Sequence, residues 1–265
     1  MAVIEKPSER VRVIRLNDPE TLNSLSFELA GDLYAAIAEV GADNACSVAV
    51  LTGAGRGFCS GMNLEYVGMP PGCEGLPVSR IAIRAMSFMS GLVPALRAIP
   101  QPVIAAVNGA AYGGGMCLSL GADIRIASEN AVFCGAGILN GIAGTEMGVS
   151  FLLPRAVGLT RSNEIVLTGR KVEAAEAERI GLVSRVTAEE ELMPEALRIA
   201  ERIAAHSTYG VSMTKKVLWS ALECGSLEAA IDLEDRNQLL VRMTTRNFEE
   251  ALRARKQKRP PAFED

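Results

Sequence analysis

The sequence predicts an α/β core over residues 1–190 followed by an all-helical region over 191–265. Three observations carry this reading. Short β-branched runs alternate with glycine-rich turns through the N-terminal half. Helical patterns follow several of these runs, as a mixed α/β domain requires. Beyond about residue 190 the β-branched runs stop, and patterns at helical spacing cover 190–206, 209–223, 226–242 and 247–257. The 265 residues, 49% of them hydrophobic and 22% charged, suffice for one large core with a small appendage.

Taken in order, the strand candidates are 11–16, 47–52, 103–107 and 123–127. Between the first two, Leu29, Leu33, Ile37 and Val40 recur at helical spacing, and Ser26 is placed to cap that helix. The glycines and prolines of 53–76 break regular structure and make a long loop, a kind of segment usually reserved for function. In the helical region, Met213, Val217 and Ala221 form an apolar stripe widened by Leu218 and Leu222, with Trp219 off it. Such a stripe is expected to be buried.

The formal net charge is -4, with no long run of Lys or Arg, which argues against nucleic acid or an anionic membrane surface as the main partner. No uninterrupted apolar run reaches the roughly 18 to 20 residues of a membrane span, and MAVIEKPSER lacks the basic-then-apolar layout of a signal peptide. A cytoplasmic protein without membrane attachment is expected. Six cysteines occur without a C-x-x-C pair, so reduced thiols are expected, with neither a disulfide framework nor a zinc site. The single histidine, His206, has no Ser or Cys partner by motif and is assigned to a helix end, against a His-dependent triad.

Two glycine-rich segments follow strand candidates: LTGAGRGFCSGMNL from residue 51 and PVIAAVNGAAYGGGMCLSLGADIRIAS from residue 102. In the second, Gly113, Gly114 and Gly115 precede an apolar stretch and open a helix. Amides at a helix start lack intrahelical acceptors and point toward whatever anion or polarised carbonyl lies there. Glycine also lets a ligand approach the backbone closely.

Together these segments resemble the crotonase superfamily, the enoyl-CoA hydratase and isomerase group. The resemblance extends to LNDPETLNSLS (16–26), LLPRAVG (152–158), LTGRKVEAAEAERIGLVSRV (167–186) and KRPPAF (258–263), nearly the whole chain. It implies a crotonase-like spiral of β-β-α units and a C-terminal helical region that builds homotrimers or dimers of trimers. It also implies an acyl-CoA thioester as substrate, with coenzyme A as part of the substrate and no separate cofactor. The thioester oxygen would be held by the backbone amides of Met62 and Gly114. Leu25, Ser60 and Gly61 would surround the coenzyme A moiety, and Asn140 would face the acyl group.

Removing a proton beside a thioester places negative charge on its oxygen, and each preorganised donor there is worth about 2.7–4 kcal/mol. Acid and base groups then choose the reaction. Hydratases of this family use two glutamates, at positions that here hold Cys117 and Gly137. A thiol, with an unperturbed pKa of about 8.5, is no substitute for a carboxylate. Counting back from LLPR places Glu146 where isomerase-like members carry a carboxylate. Ile138, Leu139, Ile142, Met147 and Phe151 surround it in sequence, and an apolar setting would raise its pKa. One carboxylate that moves a proton between two carbons fits double-bond isomerisation better than hydration. The alternatives are an acyl-CoA hydrolase or C-C lyase of the same fold, or a non-catalytic acyl-CoA binding protein.

Overall fold

A computed structural model describes residues 1–264. Its larger sheet contains β1 (Ala2–Glu5), β2 (Val11–Leu16), β3 (Val48–Gly53), β5 (Val103–Val107), β7 (Ile124–Ser128) and β10 (Val186–Thr187), paired in that order. The smaller holds β4 (Gly57–Cys59), β6 (Ala110–Tyr112), β8 (Val132–Cys134) and β9 (Lys171–Glu173). The helices are α1 (Phe27–Ala42), α2 (Val78–Ser90), α3 (Leu92–Ala98), α4 (Gly114–Gly121), α5 (Val149–Val157), α6 (Leu159–Thr168), α7 (Ala174–Arg179), α8 (Leu192–Ala204), α9 (Thr208–Ala221), α10 (Leu227–Thr244) and α11 (Asn247–Gln257).

The connectivity is a stack of three β-β-α units. β3, β5 and β7 pair in parallel in the larger sheet, while β4, β6 and β8 pair in parallel in the smaller. Each unit thus gives its first strand to one sheet, turns, gives its second strand to the other, and proceeds to a helix. The turns stack as tightly as the strands: a Cβ on Gly109 would stand 2.0 Å from the Arg56 carbonyl oxygen. Asn108 ties the stack together. Its Nδ2 donates to the carbonyls of Gly55 (2.8 Å) and Gly57 (3.1 Å), and its Oδ1 accepts from Gly53 N (3.1 Å).

β3 and β5 are buried along their whole length, as central parallel strands covered on both faces must be. Ala49 and Leu51 point into the cluster that contains α1, where Ser26 Oγ caps the helix by accepting from Leu29 N (3.1 Å). Val48 and Val50 point the other way, against Leu192, Ala196, Ala200 and Ala204 of α8. The three alanines, at a spacing of four, let α8 lie close to the sheet. The first helix of the C-terminal region therefore completes the core.

The α9 stripe of Met213, Val217 and Ala221 faces inward, but it is widened on the side opposite to the expected one. Leu218 and Leu222 are exposed, whereas Lys215 is buried and Trp219 is half-buried. Lys215 Nζ lies 3.2 Å from Asp123 Oδ2 and donates to the carbonyls of Leu96 (3.1 Å) and Gln101 (2.8 Å); Trp219 Nε1 donates to Asp123 Oδ1 (2.6 Å). Val217 is buried and Met213 and Ala221 half-buried, as the stripe requires, but beside them the face buries an ion pair with its remaining valences filled in place of Leu218 and Leu222, which hydropathy cannot foresee. α2 and α3 together, Val78–Ala98, form a 21-residue stretch long and apolar enough to cross a membrane. Part of that apolarity is accounted for by Leu92, Val93 and Leu96 of α3, which lie in the core. His206 is exposed just beyond α8, at the helix end.

Candidate active site

Three segments meet at the N-terminus of α4. In the first, Leu25 N donates to Gly61 O (2.7 Å) and Asn63 N donates to Leu25 O (3.0 Å), a parallel bridge between Leu25 and Met62. In such a bridge both bonds flank the opposed residue, so the N–H and C=O of Met62 turn away from Leu25. In the second, Gly114 is the first residue of α4, where no intrahelical acceptor exists for its N–H. Glycine is required between them. A Cβ on Gly61 would stand 2.7 Å from Tyr112 O and 3.6 Å from Gly114 N, and one on Gly115 would stand 1.9 Å from Cys59 O.

The third segment brings Glu146. A Cβ on Gly113 would stand 3.0 Å from Glu146 Oε1, so the carboxylate lies against the residue that precedes Gly114. Two successive left-handed residues follow it, Met147 (φ 45°) and Gly148 (φ 88°). The first is uncommon for a side-chain-bearing residue and stores strain at this turn. Two donors hold the Glu146 carbonyl there: Val149 N at 2.9 Å and Cys117 Sγ at 3.5 Å.

Burial raises the Glu146 carboxyl above its ordinary range. Among the described residues no basic side chain forms an ion pair with it. Arg155 instead stacks on the Phe151 ring (3.6 Å to its centroid) and donates to the Phe151 carbonyl (2.8 Å). Burial, reinforced by the nearby Glu146 charge, pushes the Cys117 thiol well above its usual value, and burial pushes that of Cys59 up to about 12. Both remain protonated near neutrality, so Cys117 serves as a hydrogen-bond donor to Glu146 and not as a thiolate.

Leu25, Met62, Gly114 and Glu146 converge on one cleft of about 30 Å³, which they share with Met147 and with Met86, Met89 and Ser90 of α2. The α2 residues were missed by sequence reasoning, although Met86, Met89 and Val93 recur at spacings of three and four. Ser60 is not among the residues that line the cleft; its N donates to Leu22 O and its Oγ to Thr21 O, each at 3.0 Å. Asn140 ends the 3-10 turn Ala136–Asn140, exposed and outside the cleft lining, as are Leu139 and Ile142. The apolar setting of Glu146 thus owes more to Met147 and α2 than to residues 138–142. A larger cleft, about 450 Å³, lies between α3 and α9. Size does not make it the reaction site, because its buried charge, Lys215, is already paired with Asp123.

Asn23 was also missed as a positioning residue. Fully buried and left-handed (φ 57°), it accepts from Asp18 N (2.8 Å) and donates to the carbonyls of Ala54 (3.0 Å) and Gly57 (2.8 Å). It thereby joins the segment that leads to Leu25 to the loop that leads to Met62. Asn23→Ala leaves these groups unpaired and is expected to cost about 1–3 kcal/mol, read as a lower urea midpoint at unchanged slope.

The family model described as enoyl-CoA hydratase/isomerase matches residues 6–265. A Mycobacterium tuberculosis protein named "Probable enoyl-CoA hydratase EchA12" is 48% identical over 265 residues, 100% of this chain and 93% of that protein. The 1,2-epoxyphenylacetyl-CoA isomerase of Escherichia coli K12 is 34% identical over 98% of this chain and 97% of its own. Among solved structures, a probable enoyl-CoA hydratase/isomerase from Mycobacterium abscessus superposes with a TM-score of 0.94 at 45% identity, covering 99% of this chain and 98% of that one. A monofunctional enoyl CoA isomerase from M. smegmatis gives 0.74 at 42% identity, covering 87% and 97%. With the spiral of β-β-α units seen in the fold, these matches establish that the chain belongs to the enoyl-CoA hydratase/isomerase family and is an enzyme of the crotonase type.

Proposed function

We propose that the enzyme shifts the double bond of an enoyl-CoA thioester through an enolate held by the amides of Met62 and Gly114, with Glu146 as the only acid and base. Glu146 takes a proton from C2 of a 3-enoyl thioester, the electron pair moves onto the thioester oxygen, and the same carboxyl returns the proton to C4. The carbons exchange one proton, no water is added, and the enzyme ends as it began. Coenzyme A enters only as part of the substrate.

The observation that carries this reading is a single desolvated carboxylate beside the helix start that bears Gly114. Both positions for the glutamates of a hydratase are closed to that chemistry. Cys117 is a buried protonated thiol turned to the Glu146 carbonyl. At Gly137 a Cβ would stand 2.6 Å from the Ala143 carbonyl oxygen, leaving no room for a side chain. A solved relative from M. smegmatis named a monofunctional enoyl CoA isomerase supports the same choice.

The test is to incubate the protein with 3-enoyl-CoA in deuterated water and follow products by mass spectrometry. The expected product is 2-enoyl-CoA that has gained no water, with deuterium at C4 in the turnovers where the protonated Glu146 exchanges with solvent before it returns its proton. A 3-hydroxyacyl-CoA as the main product would establish hydration, a free acid hydrolysis, and binding without turnover a non-catalytic role.

For the assembly we propose a homotrimer or dimer of trimers. α10 buries none of its residues within the chain and exposes Leu227, Ile231, Leu239, Leu240 and Met243. An apolar helix face of this kind calls for a partner surface.

A further inference from the structure

The wall of the acyl cleft is unusual in composition. The chain has 10 methionines, and Met62, Met86, Met89 and Met147 make up half of the residues that line the cleft. They come from three separate elements: the loop after β4, helix α2 and the turn after Glu146. The Met147 sulfur lies against the helix start, since a Cβ on Gly114 would stand 3.1 Å from Met147 Sδ. The only other polar side chains of the lining are Ser90 and Glu146.

At about 30 Å³ the cleft has room for about one water, far less than an acyl chain. An acyl group enters only as side chains turn aside. Methionine does this readily: it is unbranched, has three rotatable bonds, and its sulfur makes favourable contacts with aromatic edges. Met62 (38% exposed) and Met86 (59% exposed) are free to swing outward, whereas Met89 and Met147 are held in the core. A wall of β-branched residues would be stiff at χ1 and would fix one pocket shape.

Building on the acyl-CoA reading above, we infer that this enzyme takes unsubstituted hydrocarbon acyl groups of varied shape, straight, branched or aryl, because Met62 and Met86, on two separate elements, form the adaptable part of a methionine wall whose rest is fixed by Met89 and Met147. Acyl groups with a charged end are disfavoured, since the lining offers them no cation.

The test measures binding of four thioesters that lack the double bond, hexanoyl-, isovaleryl-, phenylacetyl- and succinyl-CoA, to the wild type and to Met86→Ile. A rigid apolar pocket discriminates by about 10–200-fold for a single methylene. Here the three hydrocarbon thioesters are expected to agree within about tenfold, with succinyl-CoA weaker than all of them by more than that. Met86→Ile, at an exposed position where folding is not at stake, is expected to weaken phenylacetyl-CoA by about fivefold or more relative to hexanoyl-CoA. A wider spread among the hydrocarbon thioesters, succinyl-CoA binding as tightly as they do, or unchanged ratios in Met86→Ile would overturn the inference and leave the acyl-CoA reading standing. Failure of all four to bind would overturn that reading, and this inference with it.

Discussion

Glu146→Gln is expected to lower kcat by about 10²–10⁴, the usual contribution of a positioned acid or base, while acyl-CoA binding is retained. The amide keeps the shape of the side chain and its place beside Gly113, but it cannot take up a proton. Steady-state kinetics with 3-enoyl-CoA and a separate binding measurement divide the two effects. A variant that keeps full turnover would remove Glu146 from the mechanism. The pH profile follows from the same site. The base must be ionised, and burial raises its pKa, so the wild-type rate falls on acidification at a pH above the ordinary carboxylate range.

The same substitution has an opposite effect on stability. Because the Glu146 carboxyl has a higher pKa in the folded chain than in the unfolded one, the fold holds the proton more tightly. Stability therefore declines as pH rises through the window between the two values. The penalty is absent below the unfolded value and fully present above the folded one. Glutamine carries no such penalty, so Glu146→Gln is expected to melt higher than wild type at neutral pH, with the difference shrinking toward acid. Melting curves at two pH values check this.

Lys215→Met is expected to destabilise the chain by about 3 kcal/mol, the lower end for breaking a buried ion pair. The lower end applies because Asp123 keeps two other donors, Trp219 Nε1 (2.6 Å) and Val103 N (2.7 Å). Burial pulls the Lys215 ammonium below its ordinary pKa, and the Asp123 charge opposes that shift. The lysine is thus expensive to bury and kept in place by its partner. The consequence reaches the core, since Asp123 precedes β7 and Lys215 fastens α9 to the carbonyls of Leu96 in α3 and of Gln101 in the segment before β5. Trp219, the single tryptophan, bonds to Asp123 and makes the measurement direct: urea unfolding followed by its fluorescence reports on this junction. Adding Asp123→Asn to Lys215→Met removes the orphaned charge and should recover part of the loss.

Much of the architecture was legible from local pattern. β2 and β5 lie where the β-branched runs place them, β3 and β7 are displaced by one residue, and α8 to α11 follow the four helical patterns closely. These are places where a residue's own neighbours along the chain dictate its conformation. α2 was not legible, because it follows Pro77 and the broken segment 53–76, and most of its face is exposed.

Sequence by itself determined which backbone groups are available for chemistry. Glycines at 61, 113, 114 and 115 answer to close backbone approach, the family resemblance of the motifs around them points to Leu25, Met62 and Gly114, and the count back from LLPR points to Glu146. Only the tertiary structure decided what stands beside those groups. It set Glu146 against Gly113, turned the Cys117 thiol to its carbonyl, and lined the cleft with methionines from three separate elements. It also made Lys215 an interior residue and α8 the back wall of the sheet. The physical reason is the same in each case. Backbone conformation answers to short-range sterics and periodicity, whereas desolvation, charge pairing and the shape of a cleft depend on residues distant in sequence that the fold brings into contact.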